Sequence, residues 1–412
     1  MMRGRAGFAL VTTLALLGLV VLVALALASL AKVSAEVAGL SATQTQARQN
    51  AWLGLRIALG ELQRTTGSGS GGQNITGMAG VAGVPANSRY RHWCGVWDGG
   101  SGDLLTWLSS GARGGVVPAI EPGATSIMLV GSNSVGTITN AEDREFVEVG
   151  RESIDVQVSS GITLSGGYAY WVGDEGVKVS LYPEPARAAS VVIDPIPLFS
   201  GAAVDSAMFP NVLIIEQAKF LPAGTTSLNA TIRYNLFHNL TVNHLSLPAA
   251  GEGSMPVDGR LNLNTTSAKV WIEVFNTYNA VKSEADPSIA NVVTAARTMR
   301  DAFAQTKSIG KLMDGPFRSV DAFFESGILT QALGAGEDSP ATRFMEVMRP
   351  ALTVRSDSFR IRAYGDVTNP IAPNQVEATA YCEAIVQRRE FPAPVGRKYV
   401  ITYFRWLGPD DI

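Results

Sequence analysis

The stretch FALVTTLALLGLVVLVALALASLA, from Phe8 to Ala31, decides how the rest of the chain is read. It carries no charge, and a helix of this length, rising about 1.5 Å per residue, crosses a hydrocarbon core about 30 Å thick. Leu14, Leu17, Val21, Leu25 and Leu30 are among the side chains that would face lipid. Arg3 and Arg5 lie just before it, which keeps the N-terminus cytoplasmic and sends the C-terminal remainder across the inner membrane into the periplasm.

The run is longer than the apolar core of a secretory signal, about 7–15 residues. Ser29-Leu30-Ala31 before Lys32 still leaves removal of the whole segment open, and a plain anchor is a second alternative. The order of basic residues, Gly7, Phe8 and a long helix resembles the type IV pilin and pseudopilin class. The resemblance implies that residues 1–7 are a leader, cut from Phe8 by a prepilin peptidase, and that the new terminal phenylalanine is N-methylated. It also implies other pilin-like subunits as partners. The fifth residue after the cut is Thr12, where major subunits usually carry a glutamate. A carboxylate within a membrane is tolerated only when paired, so its absence fits a minor, tip-located subunit that needs no such partner.

Residues 32–66 continue the transmembrane segment 8–31 as an amphipathic helix. Leu40, Ala47, Ala51, Leu55, Ala58 and Leu62 recur at three-and-four spacing, with Gln46, Arg48, Gln49, Arg56 and Glu61 mostly off that stripe. The stripe packs on the same chain's body or on neighbouring subunits. A Gly-rich linker is expected over 67–89. Its glycines lack the lysine and hydroxyl residue of a phosphate-binding loop.

With 412 residues, 46% of them hydrophobic and 17% charged, the chain can bury a sizeable core. A formal net charge of -3 gives no reason to expect nucleic acid. Two cysteines, Cys94 and Cys382, make no disulfide scaffold, although an exported location permits one bridge between them. The fold class expected is α+β. A β-rich region spans 90–264, helices 265–350, and antiparallel strands 351–412.

Within the first, Ser126–Val130 and Phe146–Val149 read as strands, and Tyr168–Leu181 as a hairpin with Asp174-Glu175-Gly176 at the bend. The acid pair suits either calcium or catalysis, or a polar turn tip with Lys178 as charge partner, the reading favoured here. Val212–Phe220 and Leu228–Leu240 alternate as two more strands. An Asn262-Leu263-Asn264-Thr265 corner then leads into a strand over Val270–Phe275, its amides and hydroxyls capping the helix after it. Ser288–Gln305, Ala341–Met348 and a turn-helix from Gly315 complete the helical part. In the last strands, Val376–Ala384 alternates small or apolar with polar residues, giving one buried and one wet face with Cys382 inside.

The Tyr170–Lys178 stretch, the Asn-x-Asn-Thr corner, Pro316-Phe317-Arg318-Ser319 and the closing Phe404-Arg405-Trp406-Leu407 with Asp410-Asp411-Ile412 resemble Verru_Chthon cassette protein A, a family of large pilin-like proteins from Verrucomicrobia-type bacteria. K-type minor pseudopilins, in which helices interrupt a pilin-like sheet, and PilX-type minor pilins are more distantly similar. The resemblance implies a structural assembly protein of a secretion or pilus-like system. A membrane-tethered binder that never polymerises, using the aromatic Tyr168–Trp171, is the alternative. Of three histidines, His92 is remote in sequence, and His238 and His244 lack a near carboxylate or thiolate, so surface or loop roles are expected rather than a metal site. Neither a nucleophile elbow nor a dinucleotide fingerprint occurs. No cofactor, metal or enzymatic activity is expected.

Overall fold

The computed structural model describes residues 5–67, 73–180 apart from 86, 114, 116–117, 136–144 and 158–162, then 237–238, 240–241, 260–305, 316–392 apart from 370–371 and 373–374, and 396–412. The strand expected over Val212–Phe220, the one over Leu228–Leu240 apart from 237–238 and 240, and His244 lie outside these residues; of the described part, Phe237 and His238 form a helical turn and Leu240 starts a strand.

One unbroken helix, α1, runs from Arg5 to Thr66 over 62 residues. Strands β1 (Ile75–Met78), β2 (Cys94–Trp97) and β3 (Leu104–Trp107) form a small antiparallel sheet. Strand β1 lies within the expected linker and is fully buried. The chain continues through β4 (Ser126–Val130), α2 (Ser132–Val135), β5 (Val147–Gly150), β6 (Glu152–Gln157), β7 (Thr163–Asp174), β8 (Val179–Ser180), β9 (Leu240–Thr241) and β10 (Leu261–Asn262). Helices α3 (Ala268–Val281), α4 (Val292–Gln305), α5 (Val320–Glu325), α6 (Ile328–Leu333) and α7 (Pro340–Met348) come next, then β11 (Leu352–Thr353), β12 (Ser358–Thr368), β13 (Val376–Phe391) and β14 (Gly396–Leu407). The class is α+β.

The central sheet has the order β14-β13-β12-β7-β6, every pair antiparallel. The Tyr168–Leu181 hairpin does not form. Strand β7 gives one edge to β6 and the other to β12, so β8 pairs instead with β9.

The strand expected over Val270–Phe275 is helix. Val270, Trp271, Val274, Phe275 and Tyr278 are all fully buried, which is three-and-four spacing rather than alternation. The Ser267 hydroxyl, rather than an asparagine or threonine, accepts from the amide of Val270 and starts α3. Around Trp271, the rings of Phe275, Phe303 and Phe323 stand at 5.8, 6.3 and 5.7 Å and core the helical lobe. Asn262 and Asn264 tie that lobe to the strands. Asn262 donates to Thr76 O at 2.9 Å and Ser356 Oγ at 3.0 Å, and Asn264 Oδ1 accepts from Phe317 N at 2.8 Å.

The wet face expected over Val376–Ala384 is present at Glu377 and Thr379, which are exposed, but not at Glu383. Glu383 is buried as completely as its neighbour Cys382, because β4, α2 and the C-terminal turn cover the side of the sheet that α1 does not. The sheet is therefore a middle layer.

Candidate functional site

The candidate site is the seam where α1 crosses the sheet. Ala47, Ala51, Leu55, Ala58 and Leu62 are all fully buried, against Phe359, Ile361 and Ala363 of β12 and Cys382, Ala384 and Val386 of β13. Leu40 does not join them. It is 67% exposed, because the helix has by then run past the sheet. Small residues set the approach distance. Gly365 of β12 lies beneath α1 so closely that a Cβ there would sit 2.1 Å from Ala51 N and 2.4 Å from Ala47 O.

Polar contacts fix the register of this packing. Asn50 Nδ2 donates to Asp366 O at 2.7 Å, and Gln44 Nε2 to Thr379 O at 3.1 Å. Gln63 reads the backbone of β14, donating to Arg397 O at 3.0 Å and accepting from Tyr399 N at 2.9 Å. At the C-terminus of α1, Arg388 Nη1 donates to Thr66 O at 2.7 Å while its Nε holds Asp357 Oδ1 at 2.6 Å. A cation at this end complements the helix dipole and supplies a donor to an orphan carbonyl. Sequence pattern does not single out these polar anchors. Gln44, Asn50 and Gln63 look like solvent-facing amides, and only the strands they meet give them a role.

The other half of α1 is different in kind. Residues 11–42 are exposed throughout, with Leu14, Leu17, Val21, Leu25 and Leu30 each more than half exposed. The structure places Gly7 and Phe8 within the first turns of the same helix.

A second constellation lies beneath the opposite face. Glu175 and Lys178 are buried there as a pair, not at an exposed turn tip, and Asp174, opposite Phe359 in register, is buried at the end of β7 on the α1 side. Glu175 also meets Arg360 at 3.1 Å, and Glu383 meets Arg362 at 2.6 Å and Arg405 at 3.0 Å. The guanidiniums of Arg360 and Arg362 each lie 4.5 Å from the centre of the Phe237 ring. Burial pushes Asp174 up to about 6. Burial opposes the charge of Glu383 too, but Arg362, Arg360 and Arg405 outweigh it and hold the carboxylate at about 2.

The histidines correct the surface-or-loop expectation. His92 and His238, both buried, stack at 3.7 Å with planes 13° apart, and Glu145 joins them, its carboxylate 2.9 Å from His92 Nε2 and its carbonyl 2.8 Å from His238 Nε2. Potential ligand atoms of the three lie within 4.8 Å of one another. The geometry does not fit a shared metal. Imidazole lone pairs lie in the ring plane, so two nearly parallel stacked rings direct them side by side, and no point about 2.0–2.1 Å from both nitrogens lies in both planes. Burial lowers both imidazoles from their ordinary value, against the hydrogen bond and charge of Glu145 at His92 and reinforced by His92 and Lys178 at His238. The stack is a hydrogen-bonded core feature that brings together residues far apart in sequence.

Cys94 and Cys382 are free thiols, so the bridge allowed by their location is not made. Burial raises both, Cys382 to about 12. Neither should react with a maleimide in minutes on the folded protein, and both should after guanidinium unfolding. Fast labelling of the native protein, or a mass two units short before reduction, would contradict this.

No family model matches the chain, and no curated protein matches it. Among solved structures, the GspK-GspI-GspJ complex of the enterotoxigenic Escherichia coli type 2 secretion system is similar at TM-score 0.30 and 13% identity, covering 63% of this chain and 84% of that chain. The likeness is slight.

Proposed function

We propose that this protein is a pilin-like subunit of the minor pseudopilin type, anchored in the inner membrane and serving assembly in a secretion or pilus-like system. The carrying observation is α1 itself. One continuous helix leaves its first half bare and apolar while its second half is buried against an antiparallel sheet. A plain anchor has no need of rigid continuity with the body it holds; a subunit that must be extracted and stacked does. In this reading the N-terminus is cytoplasmic, the body periplasmic, and a prepilin peptidase cuts between Gly7 and Phe8, with methylation of Phe8. Partners are the bilayer, that peptidase and other pilin-like subunits. The motif resemblance to Verru_Chthon cassette protein A supports the same assignment.

The alternative of a tethered binder using Tyr168–Trp171 has less support, since Tyr170 and Trp171 are buried and only Tyr168 is partly exposed. The test is mass spectrometry of the mature N-terminus. A chain beginning at methylated Phe8 is expected. An intact leader, or a start at Lys32, would remove the pilin-like reading of the anchor.

A further inference from the structure

Opposite its buried stripe, the body-bound half of α1 turns Gln49, Trp52, Leu53, Arg56 and Gly60 to solvent. At about 100° of turn per residue these fall on one arc with Arg56 near its centre. Trp52 and Leu53 are 37% and 41% exposed. The Trp52 ring is nonetheless held in place. It stands edge-on to Phe404 at 5.2 Å, Phe404 meets Trp406 at 5.3 Å, and Arg48 lies over Trp406 at 5.5 Å. Since β14 is the end strand of the sheet, this ladder joins the bare helix face to a strand edge.

Gly60 adds a notch. Gly54 is required by the chain's own packing, because a Cβ there would stand 3.2 Å from Ala169 O, whereas nothing lies within 4 Å of a Cβ at Gly60. Glycine is a poor helix former, and Gly60, in the last turns of α1, has no packing role within the chain, as Gly18 and Gly39 in the bare half have none.

Charge then selects the occupant. Between Glu36 and Glu61, α1 carries Arg48 and Arg56 and no carboxylate. Among the described residues neither arginine forms an ion pair, while Arg64 is taken by Glu61. Two copies of this chain meeting helix to helix through this face would set arginine against arginine. We infer that the Gln49–Gly60 face of α1 receives the helix of a different subunit, one that presents carboxylates among small or apolar side chains, and that Arg48 and Arg56 exclude a second copy. The inference deepens the assembly reading of α1 and rests on it.

The test uses the full chain in detergent micelles and two dye-labelled synthetic helical peptides of one length and one leucine pattern, with glutamate or lysine at the polar positions. Fluorescence anisotropy should show binding of the glutamate peptide alone, weakening with salt. In Arg48→Glu/Arg56→Glu, affinity for that peptide should fall at least tenfold and the lysine peptide should now bind. Gly60→Leu should weaken binding with the charges intact. All three positions are exposed, so thermal unfolding no lower than that of the wild type checks that the variants fold. Equal binding of both peptides, binding of neither, an unchanged affinity in the charge-reversed chain, or a wild-type dimer that shields Trp52 from quenching would each overturn the inference. The outcome is separable from the processing test. A chain that keeps its leader yet discriminates the peptides retains the docking face and loses the pilin reading. A processed chain that does not discriminate loses only the docking face.

Discussion

Gly365→Ala is expected to lift α1 off the sheet. The added Cβ would stand 2.1 Å from the amide nitrogen of Ala51 and 2.4 Å from the carbonyl oxygen of Ala47. Both are backbone atoms of a regular helix, so no rotamer change relieves the clash. Either the helix or β12 must move, and the movement strains the Asn50 bond to Asp366 O as well as the contacts of Ala47 and Ala51. Overpacking of this kind costs typically about 1–3 kcal/mol and occasionally more; a clash with backbone on both sides places this variant at or above the upper end. A second readout is local. Cys382 lies 3.8 Å from Ala51 O and is fully buried, so lifting α1 should make its thiol alkylatable under conditions where the native chain is inert. Gly60→Ala on the open side of the same helix is the control, expected to raise stability by about 0.5–1 kcal/mol. Wild-type denaturation and an unreactive Cys382 in Gly365→Ala would mean that α1 does not dock as described.

Much of this seam is legible in the sequence, because a long helix announces itself twice, by an uncharged span and by a stripe at three-and-four spacing. What the stripe cannot give is its end. Leu40 keeps the spacing of Ala47 and Ala51, and only the reach of the sheet distinguishes them. The last three strands are legible for a similar reason, being long and alternating. Val270–Phe275 reads wrongly as a strand because six apolar-rich residues fit both periods. Tyr278, one further helical turn on, settles it. The least legible features are those made by chain closure. Nothing local in Glu383, Arg360 or Arg362 shows that the polar side of an alternating strand will be roofed over. Nor does sequence distance hint that His92, Glu145 and His238 meet. Such contacts depend on which segments the topology brings together, which is information no window of the sequence contains.

That roofed-over charge gives the second large effect. Glu383 is shared among Arg362, Arg405 and Arg360 at 2.6, 3.0 and 3.5 Å, with every partner except Arg405 essentially fully buried. Glu383→Gln keeps the shape and removes the charge, leaving Arg360 with Glu175 and Arg405 with the part-exposed Asp411 as carboxylate partners among the described residues. Breaking a buried pair from one side costs about 3–5 kcal/mol, whereas replacing both partners by apolar groups of similar volume is often far milder. Glu383→Gln should therefore lose about that much at neutral pH, and Arg362→Met/Glu383→Leu substantially less. The pH dependence separates charge from packing. Glu383 sits at about 2 in the fold against an ordinary 4.5, so its contribution is complete above about pH 4.5 and is lost as pH falls towards 2. His92 and His238, both lowered by burial from an ordinary 6.5, also favour the unfolded chain as pH drops below that value. Asp174 acts in the opposite sense, since its value of about 6 against 3.8 means that acidification through that interval favours the fold. These three groups are common to wild type and Glu383→Gln, so their effects cancel in the difference between the two. The gap in unfolding free energy should stay level from pH 7 to about 4.5 and then close towards pH 2. A gap that persists to the acid end would assign the loss to packing and deny Glu383 its place as the carboxylate at the centre of the sheet's buried cations.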